Sequence, residues 1–287
     1  MILTILTGGL GNQMFQYAAA KHLSLRRRTP LKLHFANALT NTPRALGLNY
    51  FNIHAEIATS ADLKSFGYPH STAGRIIKRI FQDLKLYSNS KIYMEKKEYV
   101  YDPHVLKLTS NICLEGYWQN EKYFQPISKI IRNEFTFKKT ANVQNQNILN
   151  IMKRTNSISV HVRRGDYLAN KSAYPPLHLE YYKNSLNYFK SRLLKPRFFV
   201  FSDDIIWCKT NLGAKNISYI AHNANTPHED LRLMSTCKHN IIANSAFSWW
   251  GSWLNTSLDK IVIAPDKWIN NPFSRKMISK KWITFNA

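Results

Sequence analysis

Short apolar runs recur from one end of this chain to the other, each closed by a glycine or polar turn and followed by a stretch of helical periodicity. That alternation constrains the fold most. Strands joined by helical crossovers lie parallel in one sheet, with helices on its faces. The pattern opens with Ile2–Leu6, predicted as a buried strand. Gly8-Gly9-Leu10-Gly11 follows, then Met14, Tyr17, Ala18 and Leu23 at helical spacing, then a second strand over Leu31–Phe35. It resumes near residue 150. Strands are predicted over 157–162, 197–201, 216–220, 239–243 and 260–264, and helices over 177–193, 204–212, 228–236 and 246–254.

At roughly 150 residues per domain, 287 residues make two modest domains. Lys138-Lys139-Thr140 and the Asn/Gln-rich stretch 142–150 mark a composition shift, which places the boundary between domains 1–150 and 151–287. Two α/β domains facing each other across a cleft are expected. Residues 75–86 read as an amphipathic basic helix, with Ile76, Ile77, Ile80, Phe81 and Leu84 on one face and Arg75, Lys78, Arg79 and Lys85 around it. Packing on the core is the commoner use of such a helix, and contact with a membrane surface is the alternative.

Lys plus Arg is 40 and Asp plus Glu is 17, a net charge of +23. Anionic partners are favoured: nucleic acid, an anionic membrane or a phosphorylated substrate. A nucleic-acid binder concentrates its charge on one groove-matching element. Here Lys and Arg are scattered along the sequence, so no nucleic-acid partner is expected. Cys113, Cys208 and Cys237 form neither a disulfide framework nor a zinc pattern, and a reducing compartment fits them. The run Ile2–Leu6 is too short for a signal-peptide core, and no apolar stretch reaches the ~18–20 residues that span a bilayer. A cytoplasmic protein is expected, with peripheral contact at the inner face of the cell membrane.

Ligands of open α/β sheets bind beyond the carboxyl ends of the strands, so the residues after each strand carry the chemistry. After the first strand, glycines through Gly11 let a backbone approach a ligand, and Asn12 and Gln13 add polar groups at the mouth. After 157–162 comes His161-Val162-Arg163-Arg164-Gly165-Asp166-Tyr167. Strand alternation puts His161 and Arg163 on one side and Arg164 on the other. Arginines at a strand end bind phosphate through forked bonds. Asp166 either pairs with one of them or acts as a base. After 197–201, Ser202-Asp203-Asp204 lacks the intervening residue of a D-x-D metal site. Helix capping by Ser202 or Asp203 ranks first there, with guanine recognition by a carboxylate as the alternative. After 239–243, Asn244-Ser245-Ala246-Phe247-Ser248 offers small hydroxyls at a helix N-terminus, suited to capping or to phosphate. Trp249, Trp250 and Trp253 read as core.

The blocks Gly8–Ala18, His161–Tyr167, Phe201–Asp204 and Cys237–Trp250 resemble the signature blocks of the α-1,2-fucosyltransferases of glycosyltransferase family 11, in the same order and over nearly the whole chain. The resemblance implies a GT-B-like α/β fold of two Rossmann-type domains, the first on the acceptor side and the second binding GDP-fucose. It implies inverting transfer of L-fucose from GDP-β-L-fucose to the 2-OH of a terminal β-galactose, on an oligosaccharide or a lipid-linked glycan. No cofactor and no obligatory metal are expected. By resemblance, Arg163 holds the donor β-phosphate, His161 lies near the nucleotide, and an acidic residue of Asp203-Asp204 binds guanine. Asn244, Ser245, Phe247 and Ser248 belong to the phosphate block, and Gly11 with Asn12 approaches the reacting sugar. The chain departs from relatives that carry a glutamate base shortly after the arginine block. Leu168-Ala169-Asn170-Lys171-Ser172 stands there, and no carboxylate follows Asp166 until Glu180. Asp166 is the base candidate that remains.

Overall fold

The computed structural model describes residues 1–35, 46–69, 91–213 and 215–287. The basic helix expected over 75–86 lies outside them. The chain divides into two compact units, Met1–Thr136 and Phe137–Ala287. The division falls ahead of the expected boundary at 150. The Asn/Gln-rich stretch is not a linker. It forms a helix whose Leu149 and Met152 are buried, and Asn145 bonds Asn223 and Glu229 of the second unit. Its polar composition reflects a half-solvated face and a buried amide network.

In the first unit, β1 (Ile2–Leu6) leads into α1 (Leu10–Arg27) and β2 (Leu31–Phe35). β3 (Glu56–Ile57), α2 (Ser60–Ser65), β4 (Ile92–Met94), β5 (Ile112–Glu115) and α3 (Ser128–Glu134) follow. Among the described residues the sheet order is β3-β2-β1-β5-β4, with parallel pairing throughout. β1 is wholly buried, as a central parallel strand must be. Glu134 anchors α3 to α1: it accepts from the Tyr17 hydroxyl at 2.6 Å and pairs with Lys21 Nζ at 2.7 Å.

The second unit runs α4 (Val143–Arg154), β6 (Asn156–Val162), α5 (Gly165–Ala169), α6 (Leu179–Arg192) and β7 (Pro196–Ser202). It continues with α7 (Ile205–Leu212), β8 (Ile217–Ile220), α8 (Pro227–Thr236), β9 (His239–Ile241), α9 (Ala246–Leu254), β10 (Val262–Pro265) and β11 (Ile283–Phe285). The expected strands and helices of this half are all present, with ends shifted by a residue or two. The sheet is parallel, in the order β11-β10-β9-β6-β7-β8. Counted from β6, that is the 3-2-1-4-5-6 arrangement of a doubly wound sheet. Ile158, Val160, Val162, Phe198 and Val200 join Tyr181, Tyr182 and Leu186 of α6 in the core. Trp249, Trp250 and Trp253 are buried, as expected of core residues. All three cysteines are buried.

Candidate active site

The strand order of the second unit reverses between β6 and β9, and in a doubly wound sheet the ligand crevice lies at that switch point. The loops leaving these two strands meet there. The Tyr167 hydroxyl donates to the Asn244 carbonyl at 2.9 Å, and the His161 ring centroid lies 5.6 Å from that of Phe247. Two of the sequence blocks therefore form one site.

Arg163 is its electrostatic centre. Val162 pairs with Ser202 in the β6–β7 register, so one residue further on Arg163 comes alongside Asp203. Its Nη1 lies 2.7 Å from Asp203 Oδ2, and its Nη2 lies 2.7 Å from Asp166 Oδ1. Burial alone would lower the pKa of the guanidinium, but Asp203 and Asp166 outweigh it and the net direction is up. Asp203 also accepts from the Arg164 backbone N–H at 2.9 Å. Gly165 permits this: a Cβ there would stand 2.9 Å from Asp203 Oδ2 and 3.1 Å from its Cγ. Arg164 turns the other way, as alternation requires. Its guanidinium lies 4.0 Å from the Trp207 ring centroid, and its Nε donates to Asp204 Oδ2 at 3.2 Å.

The two adjacent aspartates thus point apart. Asp204 is the N-cap of α7, accepting from the Trp207 N–H at 3.0 Å. The expectation that Ser202 or Asp203 caps this helix is off by a residue. Ser202 instead accepts from the Asp204 N–H at 2.9 Å, which holds the turn, and Asp203 is spent on Arg163. Among the described residues no group of His, Cys, Asp and Glu is assembled as a metal ion would need.

His161 is buried, and its Nδ1 has no hydrogen-bond partner. Burial first, and the neighbouring Arg163 second, push its pKa down to about 4 against the pull of Asp203. It is a neutral imidazole at physiological pH. On the β9 side, Asn244 is buried and donates to the Pro175 carbonyl at 3.0 Å. Ser245 is the N-cap of α9, accepting from the Phe247 N–H at 3.3 Å. The Ser248 hydroxyl is 1 % exposed and donates to the Ala243 and Ser245 carbonyls, each at 3.3 Å. Asn244 and Ser248 shape this turn from within, and Ser245 and Phe247 stand at its surface.

In the first unit the order turns at β1 and β5. Gly8, at φ +73°, makes the turn out of β1. Asn12 Oδ1 accepts from Gln119 Nε2, beyond β5, at 2.7 Å. Gln13 differs from expectation. It is fully buried, donating to the Gly8 carbonyl at 3.0 Å and accepting from the Gly47 N–H at 2.8 Å, so it braces the loop instead of lining a mouth. Gly11 is buried in the first turn of α1, which has no side-chain cap.

Glu95, at the end of β4, had drawn no attention in the sequence. Its Oε2 accepts from the Tyr117 and Trp118 N–H groups at 2.7 and 3.2 Å, which fixes the turn that presents Gln119 to Asn12. Its Oε1 is buried without a hydrogen-bond partner. Burial raises its pKa to about 7 despite the two N–H donors, and Glu98 adds to the rise. No motif marks Glu95, because it acts through backbone groups of a strand distant in sequence. Gly165, Tyr167 and Trp207 were likewise missed as supports of the arginine pair, although the first two stand inside a motif.

Solved structures with this two-domain α/β, GT-B-like fold include fucosyltransferases. NodZ of Bradyrhizobium matches over 88% of this chain and 90% of its own, at 13% identity and a TM-score of 0.54. POFUT1, solved in complex with GDP, matches over 90% of this chain and 95% of its own, at 12% identity and a TM-score of 0.53. Likeness at that identity is of fold alone. The chain itself belongs to glycosyl transferase family 11, whose model matches residues 1–286, and it is accordingly a glycosyltransferase. The alpha-1,2-colitosyltransferase of Escherichia coli is 34% identical, over 99% of this chain and 98% of that protein. The O-antigen biosynthesis glycosyltransferase WbnK of Escherichia coli is 32% identical, over 97% and 98%. Human galactoside alpha-(1,2)-fucosyltransferase 1 is 27% identical over 49% of this chain and 42% of its own length.

Proposed function

We propose that this family 11 enzyme transfers L-fucose from GDP-β-L-fucose to the 2-OH of a terminal β-galactose, with inversion and without a metal ion. The observation that carries the reading is Arg163, held by two carboxylates at the switch point of a doubly wound sheet. Its bonds to Asp203 and Asp166 occupy two of five N–H donors, and the others serve the β-phosphate oxygens. Cleavage of the fucosyl–phosphate bond develops negative charge on GDP, and a fixed guanidinium stabilises that charge without reorganising. The N-terminal end of α9 at Ser245–Phe247 adds the positive end of a helix dipole, which favours phosphate. In the second unit, neutral His161 forms a dry wall beside the arginine. In the first, Asn12, oriented by Gln119, is the residue that the family resemblance assigns to the transferred sugar. Asp166 is tied to Arg163, so orientation of the guanidinium is its main role.

The 1,2-linkage is supported by the names of relatives in both groups, the bacterial colitosyltransferase and the mammalian galactoside fucosyltransferases. The bacterial relative also favours a second reading, in which the donor sugar is colitose, fucose lacking its 3-hydroxyl. Purified enzyme offered GDP-fucose or GDP-colitose with lactose and a panel of β-galactosides, read by GDP release and by NMR of the new linkage, tests both. Galactoside-dependent release with a 2-linked fucose product is expected. A higher kcat/KM for GDP-colitose transfers the assignment to the second donor, and absence of release with either donor overturns both.

A further inference from the structure

Because every strand of the second unit's sheet is parallel, the loops that precede the strands all lie along one edge, opposite the edge that carries Arg163. The sequence disperses its cations; this topology gathers them. Exposed Arg154 precedes β6, Lys190 and Lys195 precede β7, Lys215 precedes β8, and Lys280 and Lys281 precede β11. The exposed carboxylate among these loops is Asp259. Two of the most exposed apolar side chains of the described residues stand on the same edge: Leu194 before β7, 80 % exposed, and Leu258 before β10, 99 % exposed. A groove of about 940 Å³ opens there, lined by Lys183, Lys190, Lys195 and Lys215 with Leu193 and Leu194, and by no carboxylate.

Ordinary structural demand explains part of this charge. Arg154 and Lys190 lie in the last turns of α4 and α6, where the helix dipole favours a cation. Lys260 donates to the Ser252 and Asn255 carbonyls and belongs to the fold. Neither account covers Lys195, Lys215, Lys280 and Lys281, which stand in loops. Nor does either cover two leucines left in solvent beside them.

We infer that this amino-terminal edge is a docking surface for an anionic lipid bilayer. Basic side chains take the lipid phosphates, and Leu194 and Leu258 enter the boundary of the acyl region. A nucleic-acid backbone would satisfy the lysines and leave the leucines in water, whereas an anionic bilayer offers phosphates to the lysines and hydrocarbon to the leucines. The seven residues of β6 span roughly 20 Å, so contact at this edge leaves the Arg163 end clear of the lipid. The surface is set by the fold of the second unit and is independent of which sugar the donor carries.

The test is partitioning of the full chain onto vesicles of phosphatidylcholine, alone or with 30 mol % phosphatidylglycerol (about that fraction keeps the surface strongly anionic). Binding to the anionic vesicles that weakens at high salt is expected. Each basic residue near such a surface accounts for about a fivefold factor. Lys195→Glu, Lys215→Glu and Lys280→Glu together should therefore lower the partition coefficient about 10²-fold or more. Leu194→Ser with Leu258→Ser should lower it on anionic vesicles while leaving heparin binding unchanged. All variants should keep wild-type turnover on a soluble galactoside, and the matching Lys→Gln set covers any failure of the triple Glu variant to fold. Equal partitioning onto both vesicle types, or wild-type binding by the Lys→Gln set, would overturn the proposal. So would leucine variants that bind as wild type does, since that would mark a general polyanion surface.

Discussion

Replacing Glu95 by glutamine should make the enzyme more stable at pH 8 and leave its stability at pH 4 nearly unchanged. The carboxyl pKa rises from 4.5 to about 7 because burial disfavours its charged form. The folded state therefore binds the proton more tightly than the unfolded state, so its favourable contribution is complete below pH 4.5 and is lost as pH climbs to about 7. At about 1.4 kcal/mol per pH unit, ionised Glu95 costs about 3 kcal/mol above pH 7. Glutamine is a near-isostere of the protonated side chain and keeps an oxygen for the Tyr117 and Trp118 N–H groups. The difference between the two proteins isolates this group from other titrations such as that of Asp230, which burial raises to about 6. Thermal melts of both proteins from pH 4 to pH 9 are the assay. The Glu95→Gln curve should separate upward with rising pH, by on the order of 10 °C at pH 8. Parallel curves, or a lower melting point for Glu95→Gln at pH 8, would refute the reasoning. Turnover measured on the same samples adds a second reading. With the turn intact, kcat should stay within about threefold, and a fall of roughly 10² or more at higher stability would assign the carboxylate to the proton of the acceptor hydroxyl.

Arg163→Lys should retain the fold by circular dichroism and lose roughly 10²–10³ in turnover, because an ammonium cannot hold Asp166, Asp203 and a phosphate in a forked geometry; full activity would remove the phosphate clamp. Asp166→Asn should weaken GDP-fucose affinity by calorimetry and lower kcat together, since it loosens Arg163; unchanged affinity with kcat down by roughly 10²–10⁴ would instead make Asp166 the base. Turnover should persist in excess EDTA, and complete loss restored by Mn²⁺ or Mg²⁺ would show that Asp203 or Asp204 serves a metal.

The alternation of apolar runs and helical periods was enough to determine parallel sheets, because period-2 and period-3.6 burial is written locally in the side chains. It was also enough to place Arg163, Asp203 and Asn244 at strand ends, where such sheets do chemistry, and to set Arg164 on the face opposite Arg163. Strand order lies beyond local pattern, because it follows from which faces pack and which strands pair across tens of residues. Only the tertiary structure put β9 beside β6, so that Tyr167 reaches the Asn244 carbonyl, and β7 on the other side, so that Asp203 meets Arg163 and leaves Asp204 to cap α7. The same holds for Glu95, which works through the N–H groups of a neighbouring strand's loop, and for Gln13, whose amide is consumed by backbone. It holds as well for the cations that precede β6, β7, β8 and β11, which are separate in sequence and share one edge because parallel strands all begin on the same side.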